Sequence, residues 1–456
     1  MASRAPPSAV PPQTQPTEIF TDLIARAKRG GASAAEVILV EGASMSVSHR
    51  MGAREDIERT EGSEAGVRVF FGKRQAMVSS SDLSPAGLND LLERALVMAR
   101  AVPEEPYCGL ADRELLATSF PDLDLFESYE PVGEELYARA AAAEDAARAV
   151  PGVINSNGAS ASWSRGGVTL VTSDGFHGSV MSSMFGVGVS VIAASGTAME
   201  MDYAFSSKRF VGDLEPAAKI GAEAGQRAVR RLNPRKLRSA SMPVVFEPRV
   251  SNGMLGCVAG AINGQAIASG VSFLRNEMGK AIFGPGITIV DDPLRKRGLG
   301  SRPFDAEGVR TRRMTLVDKG VLATWLLSTA DAKQLGLKST GHAARGMNSP
   351  PGPTTSNLYM EPGTLTPAAL MADIKEGVYI TNVYGSGIDL VTGDYSLGAA
   401  GFLIENGEIT VPVSEFTIAG DLRDMFRNLT PANDLEFRYG TDAPTLRIDG
   451  MTIAGQ

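Results

Sequence analysis

The chain's three histidines, His49, His177 and His342, are the side chains best suited to bind a metal or to transfer a proton near neutral pH. No two of them lie three to five residues apart, so the sequence lacks the histidine pair on one helical face that zinc peptidases use. We therefore expect surface or hydrogen-bonded structural roles for all three. His342 is kept as a candidate for an unrecognised site, because its loop is rich in glycine and also carries Arg345.

Other reactive side chains do not form a known catalytic motif either. Asp291 and Asp292 are adjacent, and adjacent residues of a strand face opposite sides, so we expect them to shape the turn before Pro293. Cys108 and Cys257 are too few and too far apart for a disulfide framework or a zinc knuckle. Two isolated cysteines suit a reducing compartment.

Residues 243–265, PVVFEPRVSNGMLGCVAGAINGQ, combine an apolar strand with a helix that is predicted to begin at about Val250. One face of this helix is an apolar stripe of Met254, Leu255, Val258 and Ile262. The other face consists of Gly253, Gly256, Gly260 and Ala261. A glycine inside a helix costs about 1 kcal/mol relative to alanine, so several together require a reason. Close packing of a neighbouring backbone is one such reason, and a vacated active site is another.

Residues 18–235 alternate between helical and extended patterns, which predicts an N-terminal α/β domain that could contain two subdomains. Helices are predicted after Thr17, Ser84 and Asp213 as N-caps, with Pro85 at the first helical position, and at 131–149. Strands are predicted at 35–42, 44–51, 159–173, 178–184 and 186–194, with a hairpin in 66–83 that turns at Gly72-Lys73.

The polar segment 235–242 predicts the main domain boundary, and residues 236–456 beyond it are rich in short strands. Hairpin turns are predicted at Asp318-Lys319-Gly320, at Asn406-Gly407 and at Asp449-Gly450. Many short strands with regular turns indicate a barrel or a sandwich. The fold class predicted for the whole chain is α+β.

Composition excludes several classes of function. The net charge of −8 argues against a general nucleic-acid-binding protein. The densest basic cluster is interpreted as a solvated helix end; it consists of Arg227, Arg230, Arg231, Arg235, Lys236 and Arg238. Residues 1–17 are rich in proline without an apolar signal segment, so we expect a disordered tail. No apolar run of about 18 residues is present, and we expect a cytoplasmic protein without a membrane segment.

The glycine-bearing helix resembles the catalytic helix of the TldD/PmbA family of metallopeptidases. In TldD-type subunits this helix carries HExxxH, read as HEAVGH; its two histidines and a later cysteine bind the metal, and the glutamate activates water. The matching residues here are GCVAGA. Gly256 and Ala261 stand at the histidine positions, Cys257 stands at the glutamate position, and Gly260 matches the motif's own glycine. Residues 439–455 contain no cysteine.

Further stretches resemble the PmbA (TldE) type of subunit, which lacks the metal site. These stretches are 66–84, 155–176, 287–313 and 335–346. The resemblance as a whole covers residues 18–456. The resemblance implies an N-terminal α/β domain and a β-rich, barrel-like C-terminal domain. It implies a heterodimer with a TldD-like partner, enclosing a chamber in which short or unfolded peptides reach the partner's zinc. It implies no catalytic, cofactor-binding or metal-binding residue in this chain. The family's label as a modulator of DNA gyrase is interpreted as indirect, without nucleic-acid contact.

Three functions stay open at this point. The first is the non-catalytic subunit of a TldD/TldE peptidase, which we expect to be inactive alone. The second is a stand-alone peptide-binding or regulatory protein, for instance a homodimer that captures peptides by strand addition. The third is an enzyme with an unrecognised site near His342 and Arg345.

Overall fold

The structure is a computed structural model that describes residues 14–455. In the N-terminal part the helices are α1 (Thr14–Arg29), α2 (Pro85–Ala101), α3 (Gly133–Arg148) and α4 (Ala217–Arg230). The strands are β1 (Ala34–Arg50), β2 (Ala53–Phe71), β3 (Arg74–Ser80), β4 (Val153–Thr172), β5 (His177–Ser195) and β6 (Ala198–Lys208). Short 3₁₀ turns lie at Arg113–Leu115 and Val211–Asp213.

These six strands form one antiparallel sheet in the order β3-β2-β1-β4-β5-β6. The prediction of separate strands at 35–42 and 44–51 is wrong, because Gly42 stays in the ladder and pairs with Gly62 and Gly166. The division between 178–184 and 186–194 is wrong for the same reason, since Gly186 pairs with Ser162 and Ser207. The strand order places β6 at one edge of the sheet.

The helices of this part pack on the sheet in two groups. The core around α1 and α2 contains Leu23 and Leu91, and the core around α3 and α4 contains Leu136 and Ile220. The predicted cap of α2 is confirmed, because the Ser84 side chain accepts a hydrogen bond from the Gly87 N–H.

Two predicted helix starts in this part are wrong. The first helix begins at Thr14 rather than after Thr17, because Pro16 is compatible with a first turn whose N–H groups have no intrahelical partner. Asp213 does not cap α4, whose N-cap is Pro216. Asp213 instead ends a 3₁₀ turn and pairs with Arg297 at 2.9 Å. Residues 1–13 of the predicted N-terminal tail lie outside the described part of the chain.

The strands of the C-terminal part are β7 (Ala240–Phe246), β8 (Ile289–Asp291), β9 (Met314–Asp318), β10 (Val321–Leu322), β11 (Ala343–Ala344), β12 (Gly352–Pro353), β13 (Leu358–Met360), β14 (Glu376–Tyr384), β15 (Asp394–Glu405), β16 (Glu408–Asp421), β17 (Leu429–Pro431), β18 (Thr441–Asp442) and β19 (Leu446–Ala454). The helices are α5 (Pro248–Ala261), α6 (Gly264–Ala268), α7 (Thr329–Leu335), α8 (Pro367–Met371) and α9 (Leu422–Arg427).

Five of these strands close into a barrel in the order β16-β15-β14-β7-β19, and pairing of β19 with β16 completes the circle. The predicted barrel is confirmed. The predicted turn at Asn406-Gly407 is also confirmed, and both residues have the positive φ that a type I′ turn requires. The turn predicted at Asp449-Gly450 is wrong, because Gly450 lies at a bulge within the continuous strand β19.

The barrel strands and α5 share one hydrophobic core, in which Phe246 of β7, Val258 of α5 and Ile380 of β14 are fully buried. None of the helices in residues 14–455 is both long and apolar enough to cross a lipid bilayer.

Candidate functional site

Helix α5 carries the residues that match the metallopeptidase motif, and its local sequence explains where it begins. It follows β7 directly, with Glu247 at the N-cap and Pro248 at the first helical position, where a missing N–H has no cost. The helix therefore begins two residues before the predicted Val250. Its buried face contains Met254, Leu255 and Val258, as the apolar stripe predicted.

The opposite face of α5 is open. Gly253 and Gly256 are exposed, and a Cβ atom built on either would have no heavy atom of this chain's described residues within 4 Å. Close packing inside the chain therefore does not account for these two glycines. Gly260 differs, because a Cβ there would lie 2.6 Å from Leu390 Cδ1 in the loop between β14 and β15.

The three motif positions do not form a zinc site. Gly256 faces open space, Ala261 is fully buried in the core, and neither side chain can ligate a metal. Cys257 is 4% exposed, and burial raises the pKa of its thiol to about 11, so it is protonated at neutral pH. Within residues 14–455 no group of three or more His, Cys, Asp or Glu side chains is placed to hold a metal ion. The residues present therefore do not fit the zinc centre that the TldD motif implies.

The C-terminal segment, in which TldD-type subunits carry the third ligand according to the resemblance, lies against α5. The Ser251 Oγ donates to the Pro444 carbonyl oxygen at 2.8 Å, and β18 pairs with β13 beside the helix. This segment supplies Asp442 and Ala443 rather than a cysteine.

His342 is buried, and its ring nitrogens contact Asp291 and Thr340. Its side chain is 2% exposed, with Nε2 3.3 Å from Asp291 Oδ2 and Nδ1 2.8 Å from Thr340 Oγ1. Burial alone would raise the pKa of Asp291, but hydrogen bonds from His342 and Ser356 and the His342 charge lower it below its usual value. The prediction that Asp291 shapes a turn is wrong. Asp292 does so instead, accepting from the Leu294 N–H at 3.0 Å.

The other two histidines lie apart from this pair. His49 is 7% exposed, and its Nδ1 lies 2.9 Å from Glu144 Oε2, whereas His177 is exposed at the start of β5. Arg345, kept beside His342 as a candidate, has a side chain that is 1% exposed and paired with Glu36 of β1. The structure therefore does not assemble a solvent-accessible site from these residues.

The basic cluster near 227–238 is not simply a solvated helix end. Arg227 pairs with Glu247, the N-cap of α5, at 2.9 Å, and the largely buried Arg231 pairs with Glu200 of β6 at 3.0 Å. Arg227 thus joins α4 to the start of α5, and Arg231 also donates to the Tyr384 hydroxyl of β14 at 3.0 Å. The sequence contained no local signal for these pairs, because their partners come from other elements.

A cleft with a volume of about 240 Å³ lies beside the first turn of α5, and we refer to it as the α5 cleft. Its lining comes from β6, α4, the start of α5 and residues 434–443. Sequence reasoning missed it, because these segments are far apart in the chain. Ion pairs hold two of its lining residues, Arg249 and Glu247, in place. Arg249 binds both carboxylate oxygens of Asp202, at 2.7 and 3.1 Å, and pairs with Glu247 at 2.5 Å.

Comparison with known proteins relates the whole chain to one family. Its models match as PmbA/TldA metallopeptidase domain 1 at residues 35–99, central domain at 127–232 and C-terminal domain at 239–455. The chain is 38% identical to the metalloprotease PmbA of Escherichia coli O157:H7 over 429 residues, which cover 94% of this chain and 93% of that protein.

Solved structures show the same fold. A crystal structure from Bacteroides thetaiotaomicron, whose protein is described as a modulator of DNA gyrase, superposes with a TM-score of 0.89 at 26% identity, covering 97% of this chain and 99% of that one. The structure of TldE from Thermococcus kodakarensis superposes with a TM-score of 0.82 at 18% identity, covering 95% and 99%. The resemblance to the PmbA/TldD family that was read from the sequence is confirmed.

Proposed function

Because the chain belongs to the PmbA/TldD family of metallopeptidases, we propose that it is the non-catalytic, TldE-like subunit of a two-chain peptidase. In this proposal a TldD-like partner binds the zinc, the substrates are short or unfolded peptides, and the complex works in the cytoplasm. The chain itself contacts neither nucleic acid nor membrane. We also propose a domain boundary at 235–242, which follows the last helix of the N-terminal part and includes the first residues of the first barrel strand.

One observation carries the proposal: the helix that corresponds to the catalytic helix of TldD offers no metal ligand. Zinc hydrolysis requires three protein ligands, an open coordination position and a base for the water. Gly256 and Ala261 have no ligating atom, and Cys257 is buried and protonated. Peptide hydrolysis by this family member then requires a metal held by another chain.

The open face of α5 supports a role in an assembly. Two exposed helical glycines lower the stability of the helix without any packing benefit inside the described chain. A partner backbone or a bound peptide that approaches Gly253 and Gly256 closely would supply that benefit.

A stand-alone peptide-binding protein is the second candidate, and one observation favours it. Strand β6 lies at the edge of the N-terminal sheet and carries a row of exposed apolar side chains, which are Met199, Met201, Tyr203 and Phe205. An edge strand with such a row suits capture of an extended peptide. The third candidate, a site near His342, has no support, because His342 and Arg345 are both buried.

The test is co-expression with the TldD-like protein of the same organism. We expect a 1:1 complex by size-exclusion chromatography with mass determination, about one zinc per complex, and cleavage of a dye-labelled short peptide. The isolated chain should contain no stoichiometric zinc and should cleave nothing. Separate elution at micromolar concentration would refute the subunit proposal and favour the stand-alone binder.

Histidine variants of this chain complete the test. His177→Ala changes an exposed side chain and should leave both complex and cleavage unchanged. His342→Ala removes one of the two buried side chains that hydrogen-bond Asp291, so it should lower stability, yet the rate per folded complex should stay the same. Loss of cleavage in an intact His342→Ala complex would point to catalysis by this chain.

A further inference from the structure

The α5 cleft has an excess of carboxylates, and its arginines are already paired. Its lining contains five carboxylate side chains and three guanidinium groups. Arg227 and Arg249 both pair with Glu247, and Arg438 Nε donates to Glu436 at 2.9 Å. An incoming anion would have to compete for donors that are in use. The first turn of α5 favours a negative charge, and Glu247 at its N-cap already provides one.

Among the lining residues, Asp442 has one buried carboxylate oxygen to which no described residue donates a hydrogen bond. It is 2% exposed; its Oδ1 accepts from the backbone N–H groups of Arg438 at 2.9 Å and Tyr439 at 2.8 Å. Its Oδ2 is buried without a hydrogen-bond partner among the described residues. Arg295 and Lys208 lie near enough to act on its charge, but neither donates a hydrogen bond to it. A buried carboxylate oxygen without a donor is costly, so this atom is suited to accept one from a ligand.

Aromatic rings provide the second element of the cleft. The rings of Phe205 and Tyr439 lie 5.4 Å apart, and Phe205 is 41% exposed. Within the described chain the guanidinium of Arg249 lies over the neighbouring Tyr203 ring, at 4.9 Å. Carboxylates beside accessible aromatic faces are the combination that recognises ammonium and guanidinium groups.

We propose that the α5 cleft binds a cationic group of a peptide, with Oδ2 of Asp442 as its acceptor and the rings of Phe205 and Tyr439 around it. The group is either the terminal ammonium or a lysine or arginine side chain. The rest of the peptide extends along the exposed apolar row of β6. This inference rests on the proposed function only in taking peptides as the ligands, and it concerns the isolated chain as well as the complex.

The probe is an alanine-rich hexapeptide with a dye at its C-terminus, and binding to the purified full chain is followed by fluorescence anisotropy. Four forms are compared: free N-terminus, acetylated N-terminus, acetylated with one internal lysine, and acetylated with one internal glutamate. Weak binding by the acetylated form with recovery by lysine identifies a side-chain site. Weak binding with no recovery by lysine identifies a terminal-ammonium site. Equal binding of all four forms, or tightest binding of the glutamate form, would overturn the proposal.

Asp442→Asn keeps the size of the side chain and removes its charge. We expect at least about tenfold weaker binding of the preferred probe, the size of effect that loss of one charge-assisted hydrogen bond gives. Asp318→Asn is the matched control, because Asp318 is exposed and does not line the cleft. If Asp442→Asn fails to fold, as judged by circular dichroism, Phe205→Ala replaces it and should also weaken binding. Unchanged affinity in a folded Asp442→Asn or, in its place, Phe205→Ala would refute the assignment.

The partner experiment separates this inference from the proposed function. Charge-dependent peptide binding without complex formation would support the cleft and refute the subunit role. Complex formation with charge-independent binding would do the reverse.

Discussion

Glu36 of β1 and Arg345, which follows β11, form an ion pair in which each side chain is 1% exposed. The two residues are 309 positions apart in the chain. Arg68 of β2 also pairs with Glu36, at 3.2 Å. The pair therefore fastens the N-terminal sheet to the segment that carries His342, and it places Arg345 in a structural role.

Removing one partner of this pair should destabilise the protein strongly. Arg345→Met leaves Glu36 buried with only Arg68 to neutralise it, and breaking a buried pair in this way typically costs about 3–5 kcal/mol. The double variant Glu36→Gln/Arg345→Met should recover part of that loss. Urea unfolding, monitored by fluorescence, measures the stability of both variants.

Arg54 and Glu134 form the matched control, because both side chains are exposed. Arg54→Met should leave the urea midpoint unchanged within error. A midpoint for Arg345→Met equal to that of Arg54→Met would show that the buried pair contributes nothing to stability.

The glycines of α5 allow a prediction about what their open face is for. Gly253→Ala and Gly256→Ala add a methyl group that meets no described heavy atom, at positions where φ is not positive. Each should stabilise the isolated chain by about 0.5–1 kcal/mol, because alanine favours the helix. If this face contacts a partner or a peptide, the same variants should weaken complex formation or cleavage.

Gly221→Ala is the control for the glycine pair. A Cβ at Gly221 would collide with the carbonyl oxygen of Ala143, where α4 crosses α3. This variant should lower the melting temperature while Gly256→Ala raises it. A lower melting temperature for Gly256→Ala would contradict the open face that the structure shows.

Local signals in the sequence were sufficient where a feature depends on neighbouring residues. The cap at Ser84 and the turn at Asn406-Gly407 could be predicted because the residues that make them are adjacent. Long strands containing glycine were divided wrongly: the predicted strands ended at Gly42 and began at Gly186, yet both residues pair with neighbouring strands on both sides.

Pairs formed between distant segments could not be predicted. Nothing near Asp291 in the sequence indicates that His342 is its partner, and nothing near Asp442 indicates a cleft. The absence of metal-binding side chains from α5 was recognised only because Gly256, Cys257 and Ala261 were compared with a family motif. The sequence did not reveal that the first and last of these positions face different environments.

Glu307 should make stability depend on pH. Burial, together with the charge of nearby Asp305, raises the pKa of Glu307 from 4.5 to about 8. Between these two values the folded state holds a proton that the unfolded state has lost. The contribution of Glu307 is therefore fully present below about pH 4.5 and is lost as pH rises towards 8. Glu307→Gln keeps a neutral side chain at every pH, so it should flatten the decline of the urea midpoint over this window.

Glu361→Gln is the control for this titration, because Glu361 is an exposed carboxylate paired with Arg313 at the surface. Its pH profile should follow that of the unmodified chain. A Glu307→Gln profile that runs parallel to the unmodified chain from pH 5 to 8 would show that Glu307 does not carry a raised pKa.

Rebuilding the metallopeptidase motif should fail for two separate reasons. The variant Gly256→His/Cys257→Glu/Ala261→His restores HExxxH but not the third ligand, so a zinc ion would remain under-coordinated. In addition, Ala261 is fully buried, and a histidine there overfills the core at a typical cost of about 1–3 kcal/mol. We expect a lower melting temperature, zinc well below one per chain by elemental analysis, and no peptide cleavage.

Gly256→His alone is the control and should fold normally, because its side chain projects into open space. Stoichiometric zinc and robust hydrolysis by the triple variant would mean that another residue already completes the site, and the non-catalytic role would have to be abandoned.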